Sequence, residues 1–138
     1  MDGLGKLQKV PLREIWKNEE YDFSKWLSQE ENLKELGDTI GIDIILDETE
    51  SPVGKYSVDI FAHEESDEDS KIVIENQLEE TNHDHLGKII TYASGKDANT
   101  IIWIVKKARE EHRQAIDWLN AHTDENVDFF LLEIELWK

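Results

Sequence analysis

The apolar positions of this chain change their period several times, and each change marks an element. From Asp22 onward, "FSKWLSQEENLKELGDTIG" places Phe23, Trp26, Leu27, Leu33 and Leu36 near a helical repeat, which predicts one helix capped by Asp22 and stopped by Gly37. The period then falls to two. "IDIILDETE" and "KYSVDIFAHEE", rich in β-branched residues, flank the turn signal "SPVG" and predict two antiparallel strands. The charged run "ESDEDS" reads as a solvated hairpin tip, and "KIVIENQLE" as a third strand.

Beyond it, Thr81 or Asn82 caps a helix through "HDHLGKIITYASG", with Leu86, Ile89, Ile90 and Ala93 on one face and Gly95 at its end. "NTIIWIVKK" is apolar throughout, the mark of a strand covered on both faces. "AREEHRQAIDWLNAHT" predicts a further helix turning Ala115, Ile116, Trp118 and Leu119 inward, and "VDFFLLEIELW" a last strand. By the same patterns Trp26, Trp103 and Trp118 are expected in the core rather than as base-stacking platforms. The order is α-β-β-β-α-β-α-β: an α/β fold built as a mixed sheet with helices on both faces. Residues 1–20 have few periodic apolar positions, and Pro11 favours an extended arm, with a short strand, ahead of one domain over 21–138.

Composition bounds what this fold does. With 138 residues and 38% hydrophobic content the chain supports one domain with a core. No apolar run reaches the ~20 residues of a membrane helix and "MDGLGKLQKV" lacks the core of a secretory signal, so a cytoplasmic location without a membrane partner is expected. The absence of cysteine removes disulfides, thiolate metal sites and thiol nucleophiles, and agrees with a reducing compartment. A formal charge of −17 repels polyanions at long range. Basic residues gather only at Lys106, Lys107, Arg109 and Arg113, so a nucleic-acid partner calls for a basic region beyond Lys138.

Candidate chemistry sits on the second and third strands. Side chains alternate along a strand, so Glu75 and Gln77 share a face, Asn76 points away, and Val58 and Ile60 point opposite to Asp59. Where these strands pair, Asp59 can face Glu75, and two carboxylates at the edge of a core are costly unless a cation holds them. A hard ion such as Mg²⁺ suits carboxylate oxygens, with the Asn76 carbonyl as a further donor. The alternative is a polar crevice in which the two acids pair with lysines. His83 and His85, two apart, do not face each other on a helix, which argues against a shared zinc site. They either cap the helix beside Glu79 and Glu80 or, with Lys88, stand next to the site. Tyr92 reads as core.

These residues carry a resemblance. "EENL", then "SVDIFA", then "IVIENQLEETNHDHLGKIITYASG" resembles the PD-(D/E)XK nuclease superfamily, the restriction-endonuclease-like fold, from about Trp16 to the end. It is similar in particular to a branch in which such an N-terminal domain precedes a C-terminal domain of unknown function. The resemblance implies that Asp59 and Glu75 bind Mg²⁺ or Mn²⁺, that Glu31 is the acid of the first helix, with Glu30 and Glu35 as competitors, and that His83, His85 and Lys88 reach substrate phosphate or ordered water. It implies hydrolysis of DNA phosphodiester bonds, with a homodimer as one assembly. Gln77 departs from the pattern, standing where a lysine is usual; an amide donates and accepts hydrogen bonds but brings no charge. The other reading is a catalytically inactive nuclease-like module for protein interaction, which the charge and the missing lysine favour.

Overall fold

The five segments that the sequence marks as strands build a single five-stranded sheet. The computed structural model describes residues 8–137. In chain order these form β1 (Lys9–Val10), α1 (Glu19–Leu27), α2 (Glu30–Ile40), β2 (Ile44–Val53), β3 (Tyr56–Glu64), β4 (Asp67–Glu80), α3 (His83–Lys96), β5 (Thr100–Lys107), α4 (Glu110–His122), β6 (Asp128–Glu133) and β7 (Leu136–Trp137). The sheet runs β2-β3-β4-β5-β6. Short turns make β2, β3 and β4 antiparallel, whereas α3 and α4 are crossovers that leave β4, β5 and β6 parallel. β1 and β7 pair separately. Among the described residues no helix is long and apolar enough to cross a membrane.

Alternation along β4 divides the core into two layers. Ile72, Ile74 and Leu78 join Ile60, Leu33 and Leu36 on the side of α1 and α2. Val73 packs with Trp103, Ile89, Tyr92 and Ile116 on the side of α3 and α4. Both layers are lined by apolar side chains, so polar side chains of β4 that enter them need hydrogen-bond partners there.

Several elements differ from the sequence reading. The single first helix is two, because Ser28 Oγ donates to Lys25 O and Asn32 Nδ2 to Trp26 O, both at 2.8 Å, and these local bonds end α1. Asp22 lies inside α1, its carboxylate accepting from Asn18 N–H at 2.9 Å. Gly37 does not stop α2: the helix passes it to Gly41, whose φ of 84° makes the left-handed cap. Gly37 is needed because a Cβ there would lie 2.3 Å from Ile42 O. The expected turn at "SPVG" narrows to Gly54 and Lys55, and most of "ESDEDS" belongs to β4. α3 runs to Lys96 rather than ending at Gly95.

Burial also departs from the pattern. Trp103 is fully buried, but Trp118 is 60% exposed and stacks on His122, while Trp26 is 38% exposed. Ile90 faces solvent and Tyr92 takes the inward place on α3. Within the segment read as an arm, residues 1–7 lie outside the described residues, while Leu12 and Trp16 are buried in the first core layer.

Candidate functional site

The ladder between β3 and β4 runs from the hairpin tip to the Ile60–Ile74 pair. Beyond that pair Asp59 inserts its carboxylate between the strands: Oδ2 accepts from Asn76 N–H at 2.8 Å. Asp59 N lies 3.5 Å from Glu75 Oε1, and the two carboxyl groups hydrogen-bond each other. Strict alternation breaks here. Val58 packs in the α3 layer and Ile60 in the α1 layer, so the two residues flanking Asp59 do not share a face as expected. Across β2, Glu50 holds a left-handed φ of 51°, opposite the same irregularity.

Two carboxyls this close inside a core cannot both ionise at no cost. Burial, and then the charge of Asp59, push Glu75 up to about 9. Burial likewise raises Asp59, against the Asn76 N–H that holds it down. At neutral pH the pair shares a proton. Lys88, on α3, is the cation whose field lowers both groups, and it pairs with Asp84 at 3.4 Å. His85 lies one turn before Lys88, and burial with Lys88 pushes its ring below the usual range, so it is neutral at pH 7. One turn after Lys88, the Tyr92 hydroxyl is pushed up to about 12 by burial and by Glu75 and Asp59. Helical spacing sets the three along one side of α3, and Lys88 and Tyr92 are the two that the acid pair acts on.

Other candidates are placed elsewhere. Glu31 is exposed in the first turn of α2 and joins no metal-holding group with Asp59 and Glu75; none of three or more acids or histidines forms among the described residues. Gln77 is fully buried on the face of Glu75, as alternation requires, but both ends of its amide are engaged. Its Oε1 accepts from Trp103 Nε1 at 3.1 Å and its Nε2 donates to Glu80 O at 2.9 Å. Asn76 does point away, its Nδ2 donating to Ser24 Oγ at 2.8 Å while its buried Oδ1 has no partner.

His83 faces neither the acid pair nor His85. Its Nδ1 is 2.9 Å from Nε2 of His112, whose Nδ1 is 2.7 Å from Thr81 Oγ1. Thr81 Oγ1 also accepts from Arg109 N–H at 2.9 Å. Burial, and then His83, lower the His112 pKa, and this chain of bonds ties the starts of α3 and α4 together. The sequence reading missed His112 and Glu50. His112 lies at the apolar position four before Ile116, the one signal available for it; nothing local marks Glu50.

The donor set fits a hard divalent ion. Asp59 and Glu75 supply carboxylate oxygens on adjacent strands, and such ions accept one or two protein carboxylates, filling other positions with water and phosphate. The shared proton is what a cation would displace.

Comparison with known proteins bears on the same architecture. The chain is similar to a repair endonuclease from Pyrococcus abyssi, with TM-score 0.54 and 15% identity over 73% of this chain and 43% of that one. It is similar also to EndoMS in a complex with double-stranded DNA, with TM-score 0.51 and 14% identity over 77% and 45%. The fold is nuclease-like. The chain spans less than half the length of either neighbour, and at this identity the likeness concerns the fold. No family model matches the sequence, and no curated protein matches it.

Proposed function

We propose that this chain is a divalent-metal-dependent nuclease domain of the PD-(D/E)XK type, acting on DNA phosphodiester bonds. The observation that carries the reading is the Asp59–Glu75 pair, two carboxyls brought together from adjacent strands at the end of the β3–β4 ladder. One neighbour of similar fold is described as a repair endonuclease, and the other, EndoMS, is in a complex with double-stranded DNA. Asp59 and Glu75 would hold Mg²⁺ or Mn²⁺, which supplies Lewis-acid polarisation of the phosphate and acidification of water. Lys88 brings positive charge to the place where phosphate oxygens gain negative charge. His85, neutral at pH 7, has a lone pair to accept a proton from water, and Tyr92 keeps its proton and serves as a donor. Lys88 thus takes over from α3 the charge that Gln77 does not bring from β4. With −17 on this chain, DNA is held through a basic partner region.

The second reading, an inactive nuclease-like interaction module, is favoured by Gln77, whose amide serves Trp103 and Glu80 rather than the acid pair. One experiment separates the two. Mn²⁺ is titrated calorimetrically into the protein and into Asp59→Ala, Glu75→Ala and Lys88→Ala, followed by cleavage of supercoiled DNA in the same buffer. The nuclease reading expects both acid variants to lose metal and cleavage, and Lys88→Ala to keep metal and lose cleavage. Metal binding indifferent to Asp59 and Glu75 sinks it; metal binding without cleavage in any buffer leaves the module.

A further inference from the structure

A groove of about 820 Å³ lies two strands away from the acid pair, along the edge strand β6. Its floor is the main chain and the apolar side chains Phe130 and Leu132, and its walls are α2 on one side and α4 on the other. Asp128 N–H and Ile134 N–H point inward, to Asn99 O and Val105 O. Alternation therefore turns the amides of Phe129, Leu131 and Glu133 outward. At Phe129 the edge is closed, because Asn120 Nδ2 donates to its carbonyl at 2.9 Å and Asn120 Oδ1 accepts its N–H at 2.8 Å. At Leu131 no side chain among the described residues does this. A half-buried sheet edge with open N–H and C=O groups is a template for another strand.

The walls say what kind of strand. Glu35, Glu110, Asp117 and Glu133 line the groove against one cation, Arg113. Arg113 is already held by Glu133 at 3.4 Å, and no ion pair among the described residues engages Glu35, Glu110 or Asp117. DNA is excluded by this charge, and a second copy of a −17 chain is disfavoured by it. From Glu110 to Asn120, α4 rises about 15 Å, the length of roughly four to five extended residues.

We propose that the β6 groove docks an extended, basic segment of a partner polypeptide, which adds as a sixth strand with apolar side chains on the floor and lysine or arginine between Glu35 and Asp117. This is independent of the nuclease reading, since it needs neither metal nor DNA. It gives the acidic domain a basic companion without using the acid pair.

The test uses a fluorescein-labelled decapeptide alternating lysine and valine, read by anisotropy against the intact protein. Binding is expected, and Glu35→Lys with Asp117→Lys should weaken it by about tenfold or more, the worth of about one buried charge contact. Glu68→Lys with Asp69→Lys, at the exposed start of β4, should change it less than about twofold, as distant rim charges do. N-methylation of alternate peptide residues in one phase should abolish binding, and in the other phase leave it. Equal loss with both charge reversals, or indifference to N-methylation, overturns strand addition in favour of diffuse charge attraction. No binding overturns the proposal, as does a concentration-dependent dimer blocked by Asp117→Lys, which would make the occupant a second copy.

Discussion

Strand β4 carries two buried polar groups of opposite character. Toward its end, Gln77 meets Trp103 and the Glu80 carbonyl, and beside it Thr81, His112 and His83 form a second chain of bonds, so that donors meet acceptors. Two residues before Gln77, Glu75 meets Asp59, a second acceptor of like charge, and only a shared proton reconciles them. The first arrangement is complete as it stands and acts as a brace. The second is complete only with a proton or a cation, and on that difference the proposed metal site rests.

The contrast breaks most sharply with ligand removal. Glu75→Ala is expected to weaken Mn²⁺ binding by more than about 100-fold, beyond what loss of an indirect partner does, whereas His112→Ala leaves the affinity within about twofold. Calorimetric titration of the two variants side by side checks this. The stability effect runs the other way. His112→Ala takes the ring partner from the buried Thr81 hydroxyl and should cost about 1–3 kcal/mol in urea unfolding, as loss of a buried hydrogen bond does. Glu75→Gln, by contrast, should stabilise the protein at pH 8.

The pH dependence sharpens the comparison. Glu75 binds its proton more tightly in the fold, near 9 against an ordinary 4.5, so the folded state holds the extra proton between those values. Stability from this group is therefore present below pH 4.5 and is lost as pH rises toward 9. Urea midpoints should fall between pH 5.5 and 8.5, and the fall should shrink in Glu75→Gln. Since a cation must displace the same proton, Mn²⁺ affinity should climb about tenfold per pH unit over this window. A flat profile would mean that the pair is not the binding site. The smallest effect belongs to Glu31→Ala: less than about 0.5 kcal/mol in stability and no change in metal affinity, as for an exposed helix residue.

Much of this was legible residue by residue. Alternation along "KIVIENQLE" assigned Glu75 and Gln77 to one face and Asn76 to the other, and both assignments hold in the packed sheet. Capping chemistry found Asn82, whose Oδ1 accepts from His85 N–H at 2.8 Å. Other readings failed because a competing contact won. Periodicity ran α1 and α2 together since it does not weigh the Ser28 and Asn32 bonds to the backbone. Trp118 fell at an inward position by spacing, yet His112 and Ile116 fill that face of α4.

By itself, then, the sequence determined the kinds and order of the main elements, because hydrophobic periods of two and near 3.6 are local properties of consecutive residues. It determined also that Asp59 and Glu75 lie on neighbouring strands. What only the tertiary structure decided is which side chains share an environment. Asp59 leaves the ladder to meet Glu75 and Asn76, Lys88 acts on both acids from a helix, Gln77 is consumed by Trp103 and Glu80, and Glu31 stays in solvent. A side chain's charge state and its free hydrogen-bonding capacity are set by neighbours distant in sequence.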